Sequence, residues 1–171
     1  GTRSGMQEAY RMGADIAVKI DADYQFDPLD IEKTIRPILD NEADVVFGSR
    51  FMKEYKGYKG KDFTLVLARK WGNKAFPWLL RKLTGLPVTD ATTGLIAFGR
   101  KYLENFELAS DYNETQQLII DSWGRHMRVV EVPCTFKPRI TGKSFISLKY
   151  LRKVPISILR MMIVAAPLRI F

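Results

Sequence analysis

With 171 residues, the chain fits one domain long enough to bury a true core, and its 46% hydrophobic and 27% charged content excludes a disordered class. One cysteine and one histidine exclude an internal disulfide framework and a His-based metal site. The formal charge of +8 is uneven: residues 132–171 hold eight of the 27 basic residues and none of the 19 acidic ones.

Residues 3–12 read as a helix closed by Gly13. No strand precedes it, so a parallel α/β sheet starting here lacks its first β-α units, and the chain is expected to be a fragment of a longer one. The run from Asp15 to Ile20 reads as a strand leading straight into Asp21-Ala22-Asp23-Tyr24-Gln25. Carboxylates at the C-terminal end of a strand lie in the crevice where open α/β sheets bind ligands. Two of them suit a hard cation such as Mg²⁺, which takes one or two carboxylates plus substrate phosphates; an ordinary acidic turn is the alternative. Asp27 is expected as the N-cap and Pro28 as the first residue of a helix that carries Leu29, Ile31, Ile35, Ile38 and Leu39 on its apolar face. A strand over 43–48 then ends in Ser49-Arg50. Strand-helix-strand alternation implies a parallel crossover, which brings Arg50 to the same sheet edge as Asp21 and Asp23. There it can grip a phosphate bidentately or simply face solvent.

Residues 53–61 form a basic loop with the composition of a lid. The stretch from Phe63 to Leu83 is helical and apolar on too many sides for a surface helix, with Pro77 as a kink and Gly85 as its end. Arg69 and Asn73, four residues apart, share a face that holds either an anionic group or nothing. In the hydroxyl-rich turn 86–94, Asp90 is either a turn cap or a catalytic acid. The strand Leu95–Phe98 follows, then helices at about 99–105 and 113–124, the second with Leu118, Ile119, Ile120 and Trp123 as its apolar face. A strand over 127–133 feeds the basic loop 136–144, and Cys134 reads as a small core residue. The tail 147–171 reads as amphipathic helices broken at Pro155 and Pro167, basic and free of acids. That pattern suits a membrane interface, with core packing as the competing reading. No apolar run reaches the roughly 18 residues of a membrane-spanning helix.

In order and spacing, Asp21-Ala22-Asp23-Tyr24-Gln25, Phe26-Asp27-Pro28, Gly48-Ser49-Arg50, Arg69 with Asn73, Thr89-Asp90-Ala91-Thr92-Thr93-Gly94, Val130-Glu131-Val132-Pro133 and Arg139-Ile140-Thr141-Gly142-Lys143-Ser144 form one set. This set resembles the inverting family 2 glycosyltransferases of GT-A fold, in particular the dolichyl- and polyprenyl-phosphate sugar transferases. The resemblance implies an α/β, Rossmann-like and mostly parallel sheet flanked by helices, with a C-terminal amphipathic juxtamembrane helix. Residues 1–146 would be the C-terminal part of the catalytic domain and 147–171 its interface helices. Asp21, Asp23 and Gln25 would hold Mg²⁺ or Mn²⁺ with the donor diphosphate. Arg139 and Lys143 would close over that diphosphate, Arg50, Arg69 and Asn73 would bind the acceptor phosphate, and Asp90 would act at the reacting centre. The implied partners are a nucleotide-sugar, a polyprenyl phosphate and an anionic membrane surface, with the catalytic face cytoplasmic.

Two features depart from the family pattern. The strands that build the nucleotide base pocket are missing, and Gln117 stands where many relatives have an acid. Transfer to a saccharide hydroxyl is the alternative enzymatic reading. A non-catalytic phosphate- or nucleic-acid-binding domain is the reading from another class. Nucleic acid is not expected, because the tail carries only Tyr150 and Phe171 among its aliphatics.

Overall fold

The computed structural model describes residues 1–52, 77–106 and 114–137, together with Ile163. The elements in order are α1 (Thr2–Arg11), β1 (Ile16–Ile20), α2 (Asp30–Leu39), β2 (Val45–Ser49), α3 (described over 77–84), β3 (Leu95–Gly99), α4 (Arg100–Leu103), α5 (Glu114–Gly124) and β4 (Val129–Pro133). The basic loop 53–61, the whole of the helical stretch before Pro77 and all but one residue of the tail 147–171 lie outside the described residues.

The four strands pair in the order β1-β3-β2-β4. β3 runs antiparallel to both of its neighbours, and β2 runs parallel to β4. The expected α/β architecture is present, but the described sheet is mixed rather than mostly parallel. The reason lies in where β3 begins. The chain leaves α3, passes through residues 85–94 and reaches the edge at which β1 has just ended: Ile20 faces Leu95, and the Asp21 N–H donates to the Gly94 carbonyl at 3.0 Å. From that edge it can only run back. β1 and β2 still point the same way, as the crossover argument requires, with β3 inserted between them.

Alternation along the strands supplies two apolar faces. Val45, Phe47, Ile96, Phe98 and Val129 point to one side, where Met6, Leu80, Tyr102, Leu103 and Leu118–Ile120 cover them. Val46, Ala97, Val130 and Val132 point to the other, against Ile35 and Ile38 of α2. Burying each large aliphatic or aromatic side chain is worth about 1.5–3 kcal/mol, so these two layers are the main stabilising term. Helix ends are punctuated as the backbone demands. α1, α2 and α5 each close with a left-handed residue (Gly13, Asn41 and His126), and the next N–H in each case reaches back to the carbonyl five residues before it. The expected N-cap shifts slightly: Asp27 accepts the Leu29 N–H at 3.1 Å in a turn through Pro28, and regular helix begins at Asp30.

Asp44 pins the sheet edge opposite to Asp21. Its carboxylate accepts the Arg128 N–H at 2.8 Å, the Arg128 guanidinium at 3.0 Å and Lys101 at 3.2 Å, joining the start of β2 to the start of β4 and to α4. Burial pushes its pKa up, but the donors from Arg128 and Lys101 outweigh burial and bring it down to about 2. A carboxyl lowered on folding stabilises fully above its unfolded pKa near 4 and loses that contribution as pH falls towards 2. Asp44→Asn is therefore expected to lower unfolding stability by about 2 kcal/mol at pH 7 and to flatten its decline between about pH 4 and 2. Urea titrations at several pH values check this.

Candidate functional site

β1 ends at Ile20, so Asp21 emerges at the sheet edge beside the start of β3. Its carboxylate lies directly over Gly94. A Cβ at that position would sit 2.1 Å from Asp21 Oδ2 and 2.8 Å from the Phe26 ring, so the missing side chain is what gives the carboxylate its room. Lys19 Nζ lies 2.9 Å from Asp21 Oδ1 and 3.4 Å from Glu114 Oε1, which links Asp21 to the start of α5. The chain then turns through Tyr24, at φ +61°, and the Gln25 N–H donates to Asp23 Oδ1 at 3.2 Å. Gln25 joins this turn to the segment after β4. Its carbonyl accepts the Lys137 N–H at 2.7 Å and its amide donates to the Lys137 carbonyl at 3.3 Å, while Phe26 meets Phe136 edge to face. Lys137 Nζ also reaches Asp27 at 2.9 Å and holds that carboxyl below its usual range. The first residues of the basic loop are thereby tied to the Asp-x-Asp turn.

Arg50 follows β2 and comes to the same edge, as expected. Its guanidinium forms a bidentate pair with Asp90, Nε to Oδ2 at 2.6 Å and Nη2 to Oδ1 at 2.7 Å, and Nη2 also donates to Thr92 Oγ1 at 2.6 Å. The Arg50 backbone N–H adds a bond to Asp90 Oδ2 at 3.2 Å. The guanidinium carbon lies 4.8 Å from the Phe136 ring centre and 5.3 Å from that of Phe51. Asp90 is 0% exposed, and Thr92 N–H and Oγ also contact its Oδ1. Asp90 thus caps its own turn and anchors Arg50, with neither oxygen exposed in this structure.

Glu131 is a site residue that periodicity did not single out. In an alternating strand it reads as a polar outward position, yet it pairs opposite Phe47 on the large core face and is only 8% exposed. Oε1 accepts the Thr89 N–H at 2.7 Å and the Asp90 N–H at 3.0 Å, and Oε2 accepts the Thr89 hydroxyl at 2.6 Å. Burial raises its pKa against the pull of these donors. Cys134, beside it at the end of β4, is a buried core residue as expected, its thiol pushed up to about 12 by burial. Gln117, the other departure from the family pattern, is buried within α5.

Asp21, Asp23, Gln25, Arg50 and Asp90 thus gather around the ends of β1 and β2. Arg69, Asn73, Arg139 and Lys143 lie outside the described residues. Asp21 and Asp23 offer hard oxygens compatible with a divalent cation; the missing side chain at Gly94 accommodates the Asp21 carboxylate, which Lys19 pairs at Oδ1. Two carboxylates leave the remainder of an octahedral shell to substrate oxygens and water, the usual arrangement for Mg²⁺ with phosphates.

Comparison with known proteins adds the following. Residues 5–106 match the glycosyl transferase family 2 model. The chain is 36% identical over 135 residues to the UDP-N-acetylglucosamine–dolichyl-phosphate N-acetylglucosaminyltransferase of Methanococcus voltae, covering 77% of this chain and 52% of that one. It is 31% identical over 141 residues to the dolichol-phosphate mannosyltransferase of Pyrococcus furiosus, covering 82% and 38%. The chain thus spans about half the length, or less, of these relatives. Its fold is also similar to that of glucosyl-3-phosphoglycerate synthase from Mycobacterium tuberculosis, solved with Mn²⁺ and UDP-glucose, at a TM-score of 0.63 and 21% identity over 95% of this chain and 54% of that one. With more than half of its residues matched by the family model, the chain belongs to glycosyl transferase family 2.

Proposed function

We propose that this chain carries the metal- and acceptor-binding edge of a glycosyltransferase that moves a sugar from a nucleotide-sugar to a polyprenyl phosphate with inversion. The observation that carries the reading is the convergence of Asp21 with the Arg50–Asp90 pair at one sheet edge. The activities by which the relatives are named support a dolichyl-phosphate class of acceptor, and the M. tuberculosis complex supports Mn²⁺ with a UDP-sugar.

The reaction makes modest demands on the protein. A phosphomonoester has a second pKa of about 6, so near neutral pH it is already mostly a dianion. Its oxygen bonds to the anomeric carbon as the bond from that carbon to the donor diphosphate breaks, and the electron pair leaves on the diphosphate. No proton has to be removed from the acceptor. What is required is orientation and charge compensation, which Arg50 supplies at the acceptor phosphate, with Asp90 holding its guanidinium in place. That role fits the burial of Asp90 better than general-base chemistry on a sugar hydroxyl, which needs a carboxylate within reach of the substrate. When bound, Mg²⁺ or Mn²⁺ held by Asp21 and Asp23, with Gln25 alongside, supplies charge that stabilises the leaving diphosphate. Arg69 and Asn73 are assigned to the acceptor phosphate, Arg139 and Lys143 to the diphosphate, and the basic tail to an anionic membrane surface at the cytoplasmic face.

The test is sugar transfer to polyprenyl phosphate from a panel of UDP- and GDP-sugars, with and without Mg²⁺ or Mn²⁺, by the intact protein carrying this chain. Metal-dependent glycolipid formation is expected, reduced about 100-fold or more by Asp23→Ala. Donor hydrolysis or transfer to free sugars, with the lipid unmodified, would overturn the reading. Gly94→Ala is expected to displace the Asp21 carboxylate and weaken Mn²⁺-dependent UDP binding by about 10–100-fold, as calorimetry would measure. Unchanged UDP affinity in that variant would separate Asp21 from the metal.

A further inference from the structure

We propose that Glu131 is a positioning residue for acceptor recognition, its buried carboxylate setting the orientation in which Asp90 presents Arg50. The inference rests on the assignment of Arg50 to the acceptor phosphate.

The bonds around Glu131 form a chain with one direction. The Phe51 N–H donates to Ser49 Oγ at 3.2 Å. Ser49 Oγ and Thr89 Oγ1 are 2.6 Å apart, and either could donate to the other. With Glu131 ionised, its oxygens only accept, so the Thr89 hydroxyl donates to Oε2 and must itself accept from Ser49. Oε1 meanwhile holds the N–H groups of Thr89 and Asp90. One carboxylate therefore fixes the residues on either side of Arg50 in the chain and the residue whose side chain clamps its guanidinium. Three segments distant in sequence (the exit of β2, the loop before β3 and the body of β4) meet at this one charge.

The fold by itself gives little reason for a charge here. Glu131 lies on the sheet face covered by the large core, beside Val129 and opposite Phe47, where an apolar side chain would avoid the cost of desolvation. What an apolar side chain could not do is bind the N–H groups of Thr89 and Asp90, or set the direction of the two hydroxyls. Asp90 would keep its place in sequence and lose the constraint that aims it.

The experiment measures binding to the intact protein carrying this chain, with farnesyl phosphate as the acceptor probe and UDP with Mn²⁺ as the donor probe. Glu131→Gln keeps an oxygen for the two N–H groups but removes the charge that receives the Thr89 hydroxyl. It is expected to weaken farnesyl phosphate about tenfold or more while leaving UDP within about twofold, since a hydrogen bond to a charged group is stronger than its neutral counterpart. Thr89→Val should behave like Glu131→Gln, and Thr89→Ser, which retains the hydroxyl, should keep more of the affinity than Thr89→Val. In an Arg50→Ala background, Glu131→Gln should cost farnesyl phosphate binding nothing further, because it acts through Arg50. Parallel loss of both probes, full additivity with Arg50→Ala, or unchanged farnesyl phosphate binding in both Glu131→Gln and Thr89→Val would overturn the proposal and leave the acceptor reading standing. Failure of the unaltered protein to bind farnesyl phosphate would overturn both.

Discussion

The bidentate pair between Arg50 and Asp90 is the constraint on which this end of the molecule depends. It joins the residue that leaves β2 to a loop 40 positions later, and Asp90 has no exposed surface. A carboxylate so enclosed is tolerable only because each oxygen has donors: Arg50 through backbone and side chain, and Thr92 through both of its own. Removing either charge would leave the other buried or half-buried without compensation, which costs about 3–5 kcal/mol, more than forming the pair contributes. The pair therefore specifies an arrangement more than it adds stability.

The same logic recurs across the sheet. Asp44 at one edge and Asp90 with Glu131 at the other are carboxylates taken out of water and surrounded by donors from elements far apart in sequence. At the far edge the donors come largely from Arg128 and Lys101, and the result is a structural pin. At the near edge they come from loops, and one charged group, Arg50, lies at the same sheet edge as the Asp-x-Asp turn. Between the edges the sheet is apolar on both faces, and a slip by one residue would exchange the layers, driving Phe47 against α2 and the smaller Val46 and Ala97 into the large core.

Insertion of β3 between β1 and β2 has a functional consequence. It delivers Gly94 against Asp21, and the preceding Thr89–Thr93 turn against Arg50, so one short segment reaches both the carboxylate suited to a cation and the arginine suited to a phosphate. A strand entering from the opposite edge would place these residues far from the site. The segment after β4 completes the arrangement through Phe136, which packs on Phe26 and faces Arg50. The fold sets this proximity with loops anchored to strand ends rather than with free loops.

Much of this was legible from local pattern. The apolar strand running into Asp21 and Asp23, the stop at Gly13, the shared edge of Arg50 and Ile31, Ile35 and Ile38 of the expected helix face, though not the exposed Leu29 and Leu39, follow from periodicity, capping and crossover geometry, which act over a few residues. Three features were not. The direction of β3 depends on the edge at which residues 85–94 deliver the chain, and no spacing encodes that. No local pattern pairs Asp90 with Arg50, its partner 40 residues away. Glu131 carries the alternation of an outward residue, and only the cover over both sheet faces makes it an inward one. The sequence by itself determined which residues could bear charge and which segments would be strands and helices, because propensity and patterning are local. Tertiary structure alone decided which charges meet, because ion pairing depends on distance in space and on exclusion of water, and both arise only when the layers close.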